Sequence, residues 1–117
     1  MNDSPATTVT PAMFHILLAL VDGQRHGLGI VREVEDRTDG AVRLGPGLLY
    51  GSIKKLVTAG YIEEPSKRPP PSRDDPRRRY YRITRKGRGA LEAEAAHLEQ
   101  VVGIARHKRV LKGSGVA

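Results

Sequence analysis

The chain has 117 residues, enough for one domain with one modest core. It is 38% hydrophobic and 28% charged, ordinary for a soluble folded protein, and its lack of cysteine excludes a disulfide framework and a thiolate metal site. The net charge of +7 is uneven: residues 1–64 hold 6 Lys and Arg against 8 Asp and Glu, residues 65–117 hold 14 against 5, and residues 65–88 alone hold 10 against 2. Charge of one sign gathered in one stretch suits a polyanionic partner, nucleic acid above all; the plain alternative is a solvated basic surface.

Residues 1–9 read as a flexible N-terminal arm, with neither the basic run nor the apolar core of a signal peptide. Thr10 suits an N-cap and Pro11 a first helical position, for a helix to about Asp22. Every residue from Met13 to Val21 except His15 is apolar. That run is too short to span a bilayer, so no membrane partner is expected and the location is read as cytoplasmic. A helix apolar nearly all round is covered on more than one side, which points to a second subunit over Phe14 and Leu17.

His26-Gly27 opens a second helix to about Thr38, with Leu28, Ile30, Val31 and Val34 inside. Asp39-Gly40 is a turn, and Ala41–Leu44 reads as a short extended piece. The next segment is written at both ends: Pro46 at the helix start, Gly60 just past its end. Leu49, Ile53, Leu56 and Val57 form its apolar stripe. Gly47, Leu48, Tyr50, Gly51, Ser52, Lys54 and Lys55 are left for the other face, which is small, polar and basic, as a helix entering a DNA groove needs.

Tyr61–Glu63 and Arg79–Ile83 read as two strands, with Tyr81 and Ile83 on one face and Tyr80 and Arg82 on the other. The loop between them carries Pro69-Pro70-Pro71 and Asp74-Asp75 and exceeds ordinary hairpin length. Thr84 caps a final helix to about Leu111. Leu91, Ala95, Leu98, Val102 and Ala105 repeat at 4, 3, 4, 3, a short helix-pairing seam that Arg109 ends. Residues 113–117 are expected to be disordered.

Three helices, a hairpin and a long helix make a mainly α fold with a small β-hairpin (α+β): a winged helix-turn-helix over residues 10–84 and a dimerisation helix over 85–112. The motifs also resemble the PadR-like transcriptional regulators. The matching pieces are His26-Gly27-Leu28-Gly29-Ile30, Gly45-Pro46-Gly47-Leu48-Leu49-Tyr50, residues 56–63 and residues 78–87. The resemblance covers about residues 12–105 and implies a dimeric bacterial DNA-binding repressor; the single C-terminal helix resembles the smaller subfamily. The family usually has an aromatic residue where Leu28 stands and Thr or Ser where Leu48 stands. Leu48 cannot bond a phosphate, but it can touch a thymine methyl or pack. Some small members hold planar drugs between dimer-interface tryptophans, and this chain has no Trp. No cofactor is expected; an unidentified small-molecule effector would fit a cavity between subunits near the first and last helices.

Tyr50 is either an exposed phosphate or base contact or a core residue; its place off the stripe favours contact. Gly47 and Gly51 either admit close approach of backbone or merely relax the helix. Of Lys54 and Lys55, one is read as only a solvated charge. Lys67, Arg68, Arg73, Arg77, Arg78 and Arg79 give the wing guanidinium forks for phosphates or a narrow minor groove. Tyr80 and Tyr81 fit wing-root packing better than base stacking. The four histidines lack metal spacing, and no nucleophile set or phosphate loop is present, so no enzyme is expected.

The sequence therefore predicts a homodimer that binds a pseudo-palindromic duplex through two copies of the 46–59 helix and two basic wings spanning 62–83. The alternative is a winged-helix adaptor that meets nucleic acid or an acidic protein without operator specificity.

Overall fold

The computed structural model describes residues 8–66 and 78–112. Within them the order is α1 (Pro11–Leu20), β1 (Arg25–His26), α2 (Gly27–Arg37), α3 (Pro46–Thr58), β2 (Ile62–Glu63), β3 (Tyr80–Ile83) and α4 (Arg85–His107). The fold is α+β, four helices with a small antiparallel sheet. The sheet has three strands in the order β1-β3-β2, not the two of a simple hairpin. Arg25 faces Tyr81 and His26 faces Tyr80 on one side; Ile62 faces Ile83 and Glu63 faces Arg82 on the other. Alternation along β3 buries Tyr81 and half-buries Ile83 against the core, while Arg82 stays in water and reaches Glu63 at 2.8 Å.

Side chains cap the helix starts. Met13 N–H donates to Thr10 Oγ1 at 3.2 Å, and Pro11 follows as the first helical residue. Gly29 N–H donates to His26 Nδ1 at 3.1 Å, so an imidazole does for α2 what a hydroxyl does for α1. At the C-terminal end of α3, Tyr61 N–H bonds the Leu56 carbonyl and Gly60 N–H the Val57 carbonyl, both at 2.9 Å. Gly60 sits at φ +79°, the left-handed turn this closure requires. Residues 42–45 form no strand. Val42 N–H goes to Thr38 Oγ1 at 3.0 Å instead, and Leu44 drops into the core.

The core is built around α1. Met13, Ile16, Leu17 and Leu20 are fully buried among α2, α3, α4 and β3. Each such side chain contributes about 1.5–3 kcal/mol. The expectation that Leu17 would face a second subunit is thereby corrected: it is enclosed by elements of its own chain, while Phe14 and Leu18 stay partly exposed. Leu91 is likewise a core residue, and Phe14 is half-buried against the core. Beyond Leu91 the helix changes character. Ala95, Leu98 and Val102 are exposed, Ala105 is half-buried, and Val101 and Ile104 add further exposed apolar surface. An end-to-end length of about 35 Å takes α4 well past the core it starts on.

The junction between wing and α4 is closely packed. Thr84 N–H donates to the Tyr61 carbonyl at 3.0 Å, Thr84 Oγ1 donates to the Gly60 carbonyl at 2.7 Å, and the same oxygen accepts from Gly87 N–H at 3.0 Å. Gly87 lies so close to Tyr61 that a β-carbon there would overlap the carbonyl oxygen and stand 2.8 Å from the carbonyl carbon. Gly87→Ala should therefore cost roughly 2 kcal/mol or more, lowering Tm by about 10 °C. Gly89→Ala, two residues on with nothing within 4 Å, should instead raise stability by about 0.5–1 kcal/mol. Thermal melts of the two variants check both signs.

A second tie joins α1 to α2. Arg37 Nη2 donates to the His15 carbonyl and Nη1 lies 3.3 Å from His15 Nδ1, while Arg37 also pairs with Glu33 at 3.1 Å. Burial holds the His15 pKa below its ordinary value, the Arg37 charge adds to this, and Glu33 opposes it. A depressed histidine pKa means the unfolded chain binds the proton more readily. The stabilisation is thus complete above about pH 6.5 and is lost as pH falls through the lower folded value. His15→Gln should flatten that part of a urea-stability profile relative to the unmodified protein.

Candidate nucleic-acid interface

Helix α3 owes its orientation to the stripe Leu49, Ser52, Ile53 and Leu56, at i, i+3, i+4, i+7, all buried. Two expectations change here. Ser52 is only 6% exposed and is not a groove donor; Val57, placed by its polarity on the stripe, is 45% exposed. On the helix surface position 52 lies beside 56 and position 57 beside 53, at opposite edges of the stripe, and tertiary packing covers the edge at 52 and leaves the edge at 57 in water. A serine is small enough for a packed seam. Gly47, Leu48, Tyr50, Gly51, Lys54 and Lys55 are all exposed. An added β-carbon at Gly47 or Gly51 would meet nothing within 4 Å, so the middle of this face is bare backbone between lysines.

Tyr50 stands at one edge of that face, 55% exposed, and its ring turns toward the wing. Its hydroxyl is so close to the start of α2 that a β-carbon on Gly27 would lie 2.8 Å from it. Around it a cleft of about 380 Å³ is lined by His26, Gly27, Leu28, Tyr50, Arg78, Arg79 and Tyr81. A second, of about 310 Å³, lies on its other side, where α3 meets Glu64 and Arg79. Tyr50 thus separates the two spaces between helix and wing.

The described wing cations are placed by the sheet. Pairing of β1 with β3 brings Arg78 Nη1 to 3.1 Å from His26 Nε2, and the rings of His26 and Tyr80 meet edge-on at 5.3 Å. Arg79 pairs with Glu64 at 3.8 Å while its side chain stays 73% exposed. An ion pair so open to water is worth well under 1 kcal/mol, so the guanidinium is readily given up to a phosphate. Burial pushes the Tyr81 hydroxyl above the ordinary phenol value, Glu64 adds to the rise, and Arg79, hydrogen-bonded to it, works the other way. Tyr81 therefore stays neutral beside the arginines.

Lys67, Arg68, Arg73 and Arg77 lie outside the described residues, as do Asp74 and Asp75. Sequence reasoning overlooked His26 as lining of the cleft and placed Leu28 on the inner face of α2, where it is instead 42% exposed and lines the cleft. A histidine directly before an apolar-periodic helix was the available signal, since it takes the N-cap place. Among the described residues no group of three His, Asp or Glu side chains could hold a metal ion, and no helix is long and apolar enough to cross a membrane.

A helical triad with a sheet-braced wing and a following long helix defines a winged helix-turn-helix protein. Residues 16–93 match the transcriptional regulator PadR-like family, and the chain belongs to it. Members of this family are DNA-binding transcription regulators rather than enzymes. A transcriptional regulator from Clostridium thermocellum superposes with TM-score 0.70 at 24% identity, covering 82% of this chain and 87% of that one. A PadR family transcription regulator from Clostridium difficile gives 0.67 at 20% identity, covering 80% and 93%. An uncharacterized 37.1 kDa protein in a transposon of Streptomyces fradiae is 34% identical over 92 residues; these are 79% of this chain, which spans only 24% of that relative's length.

Proposed function

We propose that this PadR-like regulator is a repressor that binds a pseudo-palindromic operator as a homodimer. Residues 10–84 form the DNA-binding unit and residues 85–112 the dimerisation helix, and the protein acts in the cytoplasm. One observation carries the reading: Lys54, on the exposed face of α3 that also bears Gly47, Gly51 and Lys55, lines the same space between helix and wing as Arg79. A basic helix face beside basic wing residues can reach bases and backbone together.

Two copies would place α3 in successive major grooves about 34 Å apart. The exposed Leu98, Val101, Val102 and Ile104 of α4 support pairing through that helix. Leu98→Glu or Val102→Lys should then convert the dimer to monomer by burying an unpaired charge, a change read by sedimentation velocity. An unchanged dimer removes α4 from the role.

Phosphate contact has its own signature. In anisotropy titrations on duplex selected from a random pool, Arg78→Ala and Arg79→Ala should each lower the slope of log K against log salt by about one. Selected duplex bound no tighter than scrambled duplex would remove the operator and leave a non-specific basic adaptor.

A further inference from the structure

The groove-facing side of α3 contains one feature that electrostatics does not explain. Leu48, in the first turn, is 54% exposed. It belongs to no core cluster, and its helical neighbours on the outer face are Gly47, Gly51 and Lys55, all exposed. More than half of this leucine lies in water in the free protein. The two glycines lower the surface beside it, because neither carries a side chain and nothing lies above either. Leu48 is therefore the apolar projection of the first turn of α3; the other exposed apolar side chain, Val57, lies in the last turn, and Tyr50, Lys54, Lys55 and Thr58 fill the rest of the exposed side.

The first turn of a helix inserted in the major groove is the part that meets base edges. Base edges there offer hydrogen-bond donors and acceptors and one apolar group, the C5-methyl of thymine. Leucine has no donor or acceptor, so that methyl is the group it can recognise. We propose that Leu48 is a specificity-determining residue that reads a thymine methyl in each half-site, and that bare Gly47 and Gly51 let the helix sit deep enough for the contact. This rests on α3 being the groove helix, as proposed above. Lys54 and Lys55 on the same helix, and Arg78 and Arg79 on the wing, supply the charge complementarity that commits the face to duplex DNA.

The test removes the methyl rather than the protein. Duplexes are selected from a random pool with the full-length protein, and each thymine is then replaced by deoxyuridine, which pairs identically and lacks only the C5-methyl. One thymine in each half-site should show a loss of affinity of about three- to tenfold on that replacement. Leu48→Ala should bind the thymine and deoxyuridine duplexes equally, and Leu48→Met should keep the discrimination. Leu48 is exposed, so both variants should melt at the unmodified temperature. Indifference to every deoxyuridine, selected sites without a preferred thymine, or full discrimination by Leu48→Ala each overturns the inference while leaving DNA binding intact. Failure to enrich any duplex overturns the DNA reading, and this inference with it.

Discussion

Gly87 packed on the Tyr61 carbonyl is the constraint on which the rest of the arrangement depends. That carbonyl already accepts from Thr84 N–H, and the neighbouring Gly60 carbonyl accepts from the Thr84 hydroxyl. The end of α3, the end of β3 and the first turn of α4 are thus locked within a few residues of one another. The lock needs no side chain at 87 and a left-handed residue at 60, and it finds glycine at both. Its effect is directional. It fixes the wing strands against α3 at one end and points α4 away from the core at the other. The surface proposed for DNA and the surface proposed for pairing are thereby held in a set relation, as two half-sites at fixed spacing require.

The opposite side of the wing is held by β1. Only two residues long, it pairs with β3 and brings His26, the cap of α2, beside Arg78 and Tyr80. The cleft where α2, α3 and the wing converge follows from that pairing. Tyr50 fills its middle, with its hydroxyl close over Gly27, so the positions of helix and wing are read out by one ring. Glu64 holds Arg79 only loosely, and Tyr81 stays uncharged, so the basic character of the cleft is preserved.

Much of this was legible because it is local. Pro46 and Gly60 marked α3 to within a residue, Thr84 marked the start of α4, and period-two alternation gave the faces of β3. What the sequence hid depends on distant parts of the chain. Strand β1 has no strand pattern of its own and exists only as the partner of β3. Ser52 and Val57 exchanged places because they lie at opposite edges of the apolar stripe, and only packing against the rest of the chain says which edge is covered. Leu17 pointed to a partner subunit because an all-round apolar helix does not say how many neighbours its own chain supplies. The exposed apolar side of α4 was legible only in part: Leu98 and Val102 of the 4-3 repeat are exposed, whereas Leu91 belongs to the core and the exposed Val101 and Ile104 lie off the repeat.

The same surface bears on how selectivity can arise in the proposed complex. The exposed side chains of α3 that can donate a hydrogen bond are Tyr50, Lys54, Lys55 and Thr58, and of these only the lysines can reach both N7 and O6 of a guanine. A single half-site would draw its direct hydrogen-bond discrimination chiefly from these two lysines, and lysine or wing arginine contacts to phosphate supply none. Further selectivity would come from elsewhere in the assembly. Guanidinium groups at the wing respond to groove width, an apolar residue at 48 responds to shape and methyl content, and a rigid α4 pairing would reject half-sites at the wrong spacing. Each of these terms is modest alone. They multiply only if helix, wing and pairing helix keep their relative positions, and for that the glycine contact at the wing–α4 junction is indispensable.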